Sequence, residues 1–125
     1  MKILICEDDT MTLKALEHKL KKEGYEIISA KDGKSACDIL SEQNDIDLLL
    51  TDLHMPVLSG LELISFLRGK LQSNMPIVML TRVGLEETVL QAFELGADDY
   101  ITKPFNPDEL AIRIKRLLLK NKSSL

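Results

Sequence analysis

The feature of this sequence that most limits its fold is a fivefold alternation between short apolar segments and longer segments with helical spacing. The short segments are rich in β-branched residues and occupy residues 2–6, 25–29, 46–51, 76–80 and 99–102. Strands that alternate with helices form a parallel sheet with right-handed crossovers and helices on both faces. The sequence therefore predicts an α/β domain of five βα units around a five-stranded parallel sheet.

Residues that favour the ends of helices support the same division of the chain. Gly24 and Gly96 follow predicted helices, at positions where a left-handed backbone is favoured. Asn106 and Pro107 open the last helix with a cap and a first-turn proline. Asp9 is interpreted as the N-cap of the first helix rather than as a ligand, because aspartate is favoured at that position.

The apolar positions of each helix are expected to face the core. In the fourth helix these positions are Leu85, Val89 and Phe93, which recur at intervals of four. Cys6 is interpreted as a small buried side chain within the first strand. Neither Cys6 nor Cys37 belongs to a CxxC or Cys/His cluster, which argues against zinc and disulfides.

Composition excludes several classes of protein. The chain has 125 residues, of which 45% are hydrophobic and 29% charged, a balance typical of one soluble globular domain. Its net charge of -4 does not indicate a surface that binds nucleic acid. These 125 residues contain no signal-peptide pattern, and no apolar stretch approaches the roughly 20 residues that cross a membrane. These features predict a cytoplasmic protein without a membrane partner.

Polar residues follow four of the five predicted strands. They are Glu7, Asp8 and Asp9 after the first strand, Asp52 after the third, Thr81 after the fourth and Lys103 after the fifth. If the strands lie in the order 2-1-3-4-5, these four strands are neighbours and the second strand is an edge. Ligands of open α/β sheets bind beyond the carboxyl ends of the strands, so these residues are expected to share one crevice.

The residue types in this crevice indicate phosphoryl chemistry. Clustered carboxylates repel one another and either take up protons or bind a cation. Oxygen ligands without His or Cys favour a hard ion such as Mg²⁺, which leaves room for phosphate oxygens. Lys103 provides a charge and Thr81 a hydroxyl for a phosphoryl group. Asp52, between them, is a candidate nucleophile, because carboxylates form aspartyl phosphates.

Several motifs together resemble the receiver domain of two-component response regulators. They are "ILICEDD", "LLLTDLHMPVLSGLEL", "IVMLT" and "GADDYITKPF", within a resemblance that runs from residue 2 to about 120. The resemblance implies a flavodoxin-like, doubly wound sheet with the strand order 2-1-3-4-5. It also implies a receiver domain over residues 1–120, followed by a C-terminal tail or the start of a linker at 121–125.

The same resemblance implies a magnesium site and a phosphorylation site. Asp52 would accept a phosphoryl group from a histidine kinase or a phosphotransfer protein. Asp8 would bind Mg²⁺ directly and Glu7 through water. Asp52 and the backbone carbonyl of His54 would complete the protein ligands. The side chain of His54 is interpreted as an exposed group at the mouth of the site.

The resemblance further implies a switch rather than a turnover enzyme. Lys103 would pair with the phosphoryl oxygens, and its bond to Pro104 would be cis. Thr81 would move towards the phosphoryl group, and Tyr100 would turn into the space that Thr81 leaves. Taken alone, Thr81 also suits a plain strand position or a helix cap, and Tyr100 also suits the core. The responding face is placed on the fourth helix, fifth strand and fifth helix, where it would bind an output domain or partner.

The C-terminal third looks most like receivers attached to winged-helix DNA-binding domains, which implies a regulator of transcription with an output domain beyond residue 125. In those receivers Asp99 and Arg113 would pair across a dimer formed by the responding face. Glu109 matches a second pairing position, but its expected basic partner falls near Val89, which carries no charge. A stand-alone receiver that acts through protein contacts is the alternative.

Two residues depart from the family pattern. Arg82 follows the switch threonine at a position that is usually small, and a long cation there is expected to restrict access of phosphodonors. Val83 cannot hold a water by hydrogen bonding, which favours a moderately long-lived phosphoryl group.

Two other functions fit parts of the pattern. A magnesium-dependent aspartyl-phosphate phosphatase would need a second acid two residues after Asp52, where His54 stands. A flavodoxin-like cofactor binder would need a Gly- or Ser/Thr-rich phosphate loop after the first strand, where three acids stand instead.

Overall fold

The computed structural model describes residues 1–123, in which five parallel strands form one sheet with the order β2-β1-β3-β4-β5. The strands are β1 (Lys2–Cys6), β2 (Glu26–Ala30), β3 (Leu48–Asp52), β4 (Ile77–Arg82) and β5 (Asp99–Lys103). The helices are α1 (Thr10–Lys22), α2 (Gly33–Glu42), α3 (Gly60–Ser65), α4 (Glu86–Leu95) and α5 (Pro107–Ser123). The predicted fold class and strand order are confirmed.

The last helix runs past the predicted end of the domain. α5 continues to Ser123, whereas the sequence predicts a domain boundary after residue 120. Residues 124 and 125, which belong to the predicted C-terminal segment, lie outside the described residues. That boundary stays a prediction. No helix within residues 1–123 is long and apolar enough to span a membrane.

The sheet is buried on both faces, which explains why its strands are nearly continuous apolar runs. Leu48 and Leu50 of β3 pack with α1 and α5 on one face. Leu49, between them, points to the other face and packs with residues of α2, α3 and α4. All three leucines are fully buried, and burial of each stabilises the fold by roughly 1.5–3 kcal/mol.

Side-chain caps begin the first and last helices as the sequence predicts. The carboxylate of Asp9 accepts a hydrogen bond from the backbone N–H of Thr12 at 2.9 Å. The side-chain oxygen of Asn106 accepts hydrogen bonds from the N–H groups of Asp108 and Glu109 at 2.9 and 3.1 Å. These bonds satisfy N–H groups that have no partner within the helix, and they fix where α1 and α5 start.

The chain after α3 departs from a regular helix. Residues Phe66–Lys70 form one π-helical turn, in which the N–H of Leu71 donates to the carbonyl of Phe66 at 3.0 Å. The spacing of apolar residues in this segment predicts a helix and contains no sign of the wider turn. Such turns are rare and widen the helix by one residue per turn.

This π-turn carries Arg68, whose guanidinium connects three separate segments. Arg68 donates to the carbonyl of Gly96 from Nε and NH2, at 3.0 and 2.8 Å. It also donates to the carbonyls of Ser73 and Met75 at 2.8 and 2.6 Å, and to the carboxylate of Asp98 at 3.0 Å. Gly96 ends α4 with a backbone φ of +117°, which favours glycine. The C-terminal end of α4 is therefore tied to the segments that precede β4 and β5.

Candidate functional site

Four of the predicted site residues meet at the carboxyl ends of the strands. Nζ of Lys103 lies 3.0 Å from Oδ2 of Asp52 and 2.6 Å from Oε1 of Glu7. One carboxylate oxygen from each of Glu7, Asp8 and Asp52 lies within 4.8 Å of the others. The parallel sheet brings these residues to one edge, although 96 positions separate Glu7 from Lys103 along the chain.

Local structure fixes the two buried carboxylates. Asp52 is the last residue of β3 and is 7% exposed, and its Oδ1 accepts a hydrogen bond from the N–H of His54 at 3.2 Å. Glu7 is fully buried, and its Oε2 accepts from the N–H of Asp9 at 3.1 Å. A Cβ at Gly60 would overlap the backbone carbonyl of Asp52, so the start of α3 packs directly against the backbone of the site.

In the part of the chain that the structure describes, positive charge near Glu7 is limited to the ammonium of Lys103, which Glu7 shares with Asp52. Burial raises the pKa of Glu7 to about 7, and Asp52 adds to this effect while Lys103 opposes it. Burial alone would lower the pKa of Lys103, but the Glu7 and Asp52 carboxylates raise it. Among the described residues, Oε1 of Glu7 has no partner with hydrogen-bond geometry, despite its short distance to Lys103.

These observations fit a hard divalent cation. Three carboxylates face one ammonium group, so the cluster lacks positive charge, and all its side-chain ligands are oxygens. Glu7 and Asp52 are both buried and share the ammonium of Lys103, which adds to this shortage of positive charge. Asp8 is exposed and open to solvent on the outer side of the cluster.

Thr81 lies beside the acidic cluster on the neighbouring strand. Asp52 pairs with Leu80 in the register of β3 and β4, so Thr81 is one residue farther along. Thr81 is 2% exposed, and its hydroxyl makes a long contact of 3.4 Å to the carbonyl of Arg82. Arg82 is exposed and pairs with Lys103 in the register of β4 and β5.

Three further features near the site agree with expectation. The side chain of His54 is exposed, as predicted. The bond between Lys103 and Pro104 is cis, as the resemblance implies. Cys6 is fully buried, as predicted, and burial raises the pKa of its thiol to about 12.

Tyr100 lies at the surface and not in the core, so the interpretation of Tyr100 as a core aromatic is wrong. The Tyr100 side chain is 39% exposed and packs edge-on against Phe93, with ring centroids 6.0 Å apart and an interplanar angle of 82°. A groove of about 360 Å³ between α4 and β5 is lined in part by Thr81, Val89, Phe93, Tyr100 and Thr102.

The apolar residues of α4 do not all face the core, so that expectation is wrong for this helix. Phe93 is 38% exposed and Val89 is half-buried, whereas Ala92 is the buried residue of α4. Apolar spacing identified the helix but could not distinguish a core face from a face that lines a surface groove.

The three residues predicted for a dimer face interact within one chain. Arg113 donates to Oδ1 of Asp99 at 2.9 Å and to Oε1 of Glu109 at 3.1 Å. Arg116 adds a weaker contact of 3.4 Å to Asp99, which is 7% exposed. Pairing of these residues between two chains stays a prediction.

Comparison with known proteins places this arrangement in a family. A family model described as the response regulator receiver domain matches residues 3–115. The chain belongs to the response regulator receiver family. This finding confirms the resemblance that the sequence motifs suggested.

Two relatives from Escherichia coli K12 illustrate the similarity. The transcriptional regulatory protein CpxR is 42% identical over 120 residues, which is 96% of this chain and 50% of CpxR. The aerobic respiration control protein ArcA is 44% identical over 116 residues, which is 93% of this chain and 48% of ArcA. The chain therefore spans about half the length of these relatives.

Solved structures agree with the fold of this receiver. A response regulator receiver domain protein from Clostridium thermocellum superposes with a TM-score of 0.92 at 29% identity, covering 99% of this chain and 98% of that one. The receiver domain of the Francisella response regulator 1452 gives a TM-score of 0.88 at 33% identity, covering 96% and 98%.

Proposed function

We propose that this receiver is a phosphoacceptor switch in which Asp52 takes a phosphoryl group from the phosphohistidine of a histidine kinase or a phosphotransfer protein. The observation that carries the proposal is the position of Lys103. Its ammonium lies 3.0 Å from the Asp52 carboxylate, in a crevice that also contains Glu7 and Asp8.

The chemical step is a transfer between two side chains. A carboxylate oxygen of Asp52 attacks phosphorus, and the new P–O bond forms as the P–N bond of the phosphohistidine breaks. The electron pair of that bond returns to the imidazole nitrogen. Lys103 is placed to neutralise charge on the phosphoryl oxygens, and the N–H of His54 holds Asp52 in position.

We infer that Mg²⁺ is the cation of this site. Asp8, Asp52 and the backbone carbonyl of His54 would bind it directly, and Glu7 would reach it through water. When bound, Mg²⁺ supplies positive charge next to the phosphoryl oxygens. The all-oxygen cluster, in which three carboxylates face the Lys103 ammonium, supports this inference.

The switch would link the site to the face formed by α4, β5 and α5. Phosphorylation adds negative charge and acceptor oxygens, and the Thr81 hydroxyl has only a weak contact to lose. Movement of Thr81 would free space next to the α4–β5 groove, into which Tyr100 would turn. A face with two arrangements can then bind its partner in one of them.

The partner of this face is proposed from the relatives. CpxR is a transcriptional regulatory protein about twice the length of this chain. We therefore propose a cytoplasmic transcriptional regulator in which residues 1–120 form the receiver and a DNA-binding output domain lies beyond residue 125. Dimerisation through Asp99, Glu109 and Arg113 belongs to the same proposal. A stand-alone receiver is the alternative.

Measurement of intact mass tests the proposal directly. The protein is incubated with acetyl phosphate and Mg²⁺, and we expect a gain of one phosphoryl group. Asp52→Asn should remove this gain, whereas Asp38→Asn should retain it, because Asp38 is an exposed residue of α2. Chelation of Mg²⁺ should suppress labelling of the wild type. Equal labelling of the wild type and Asp52→Asn would refute the assignment of Asp52.

A further inference from the structure

We propose that Phe93 is a positioning residue that holds the Tyr100 side chain in its solvent-facing conformation and so sets the resting position of the switch. The inference rests on the proposed function, in which Tyr100 turns inward on phosphorylation. It assigns a role to a residue of α4 that contacts neither Asp52 nor a phosphoryl group.

The contact itself joins two elements of the responding face. Phe93 belongs to α4 and Tyr100 to β5, and their rings meet edge to face at 6.0 Å and 82°. This arrangement is favoured because the positive edge of one ring approaches the negative face of the other. Both side chains are more than one third exposed, at 38% and 39%, so packing in the core does not impose their positions.

A groove next to Tyr100 offers a second position for its side chain. The groove beside it measures about 360 Å³ and is lined in part by Thr81, Val89 and Thr102. Thr102 lies on the same side of β5 as Tyr100, because side chains two residues apart in a strand share a face. The outward position of the ring therefore depends on two neighbours, Thr81 on the groove side and Phe93 on the α4 side, and the Phe93 contact is the attractive one.

Phe93 is suited to this role because it lies at the fixed end of α4. Its carbonyl accepts a hydrogen bond from the N–H of Gly96 at 3.0 Å, and Arg68 binds the carbonyl of Gly96. The opposite end of α4 begins at Leu85 without a side-chain cap. Tyr100 therefore packs against the C-terminal end of α4, which the contacts of Arg68 and Gly96 hold in place. The N-terminal end of α4, near Thr81, has fewer such contacts.

The size of the effect follows from the strength of aromatic pairs. Such a contact is worth about 1 kcal/mol beyond area burial, which corresponds to a factor of roughly five in an equilibrium. Loss of the Phe93 ring should therefore lower the ratio of outward to inward Tyr100 by roughly fivefold. Because coupling between sites is reciprocal, the same change should favour the phosphorylated form.

The composition of the chain makes the position of Tyr100 measurable. The sequence contains two tyrosines and no tryptophan, so a Tyr25→Phe background leaves Tyr100 as the single tyrosine. Incorporation of 3-fluorotyrosine then gives one ¹⁹F signal, whose shift between H₂O and D₂O reports exposure of the ring. The comparison uses Phe93→Leu, with Phe93→Met as a second variant of similar size.

The control and rescue variants separate ring contact from helix stability. Leu95→Ala removes another exposed apolar side chain from α4, and we expect it to leave the Tyr100 signal unchanged. Phe93→Trp restores an aromatic edge and should restore the outward signal. Phe93→Leu and Phe93→Met should reduce exposure of Tyr100 and increase the fraction of protein labelled by acetyl phosphate at steady state.

Each outcome bears on one idea. An unchanged Tyr100 signal in both Phe93→Leu and Phe93→Met would overturn the role of Phe93, as would an equal change in Leu95→Ala. A failure of every variant and of the background protein to label at Asp52 would instead contradict the proposed function. In that case the ¹⁹F comparison still decides whether Phe93 holds Tyr100.

Discussion

Replacing Arg68 with methionine removes the guanidinium while keeping much of the apolar stem, and it isolates what the hydrogen bonds of the π-turn contribute. The change deletes contacts to the carbonyls of Gly96, Ser73 and Met75 and to the carboxylate of Asp98. Hydrogen bonds to charged groups contribute roughly 1.5–3 kcal/mol each, and the 19% exposure of the side chain lets water replace part of them. We expect a net loss of about 3–4 kcal/mol in the free energy of unfolding.

Urea denaturation followed by far-UV circular dichroism measures this loss. In a domain of this size, a loss of 1 kcal/mol lowers the melting temperature by roughly 4 °C. The melting temperature of Arg68→Met should therefore be roughly 12–16 °C lower than that of the wild type. Arg68→Lys keeps the charge and one or two of the contacts and should recover about half of the stability. Arg116→Met removes an arginine that is 67% exposed and should change stability by less than about 0.5 kcal/mol. A loss below about 1 kcal/mol for Arg68→Met would refute the structural role of Arg68.

Three further changes test other parts of the molecule. Val57→Gly should raise the free energy of unfolding by about 1 kcal/mol, because Val57 has a backbone φ of +71° that a β-branched residue adopts only with strain. Urea denaturation measures this change, and an unchanged or lower stability would contradict it. Mg²⁺ at about ten times its dissociation constant should raise the free energy of unfolding of the wild type by about 1.4 kcal/mol. The increase should be smaller in Glu7→Gln, and an equal increase in both proteins would exclude Glu7 from the cation site. Arg82→Ala should speed labelling by acetyl phosphate if the long, exposed Arg82 side chain restricts access of phosphodonors to the site. Equal or slower labelling would contradict this expectation.

The sheet could be predicted from the sequence because strands that are buried on both faces are continuous runs of apolar residues. Leu48, Leu49 and Leu50 form a continuous apolar run, and they do point alternately to the two cores. The π-turn leaves no such pattern in the sequence. Its residues keep an apolar position at Leu67, which is buried, and one extra residue per turn does not alter a short periodic pattern.

The candidate site could be predicted in part for a related reason. The carboxyl ends of parallel strands lie along one edge of the sheet, so the strand order predicts that Asp52 of β3 and Lys103 of β5 share a crevice. The contact itself also needs the long lysine side chain, because β4 lies between these two strands. The exposure of Phe93 and Tyr100 could not be predicted, because it depends on how far α4 lies from β5 and not on residue type. The same holds for Arg68, since its partners are mainly backbone carbonyls, which every residue possesses.

The position of Lys103 on the last strand has a consequence for biosynthesis. Glu7, Asp52 and Lys103 are made in that order, so a growing chain contains the acidic side chains well before the lysine that pairs with them. The central strands also need partners that are distant along the chain, and such sheets form slowly and late. A nascent chain therefore cannot form the contacts of Lys103 with Glu7 and Asp52 until β5 has left the ribosome and docked.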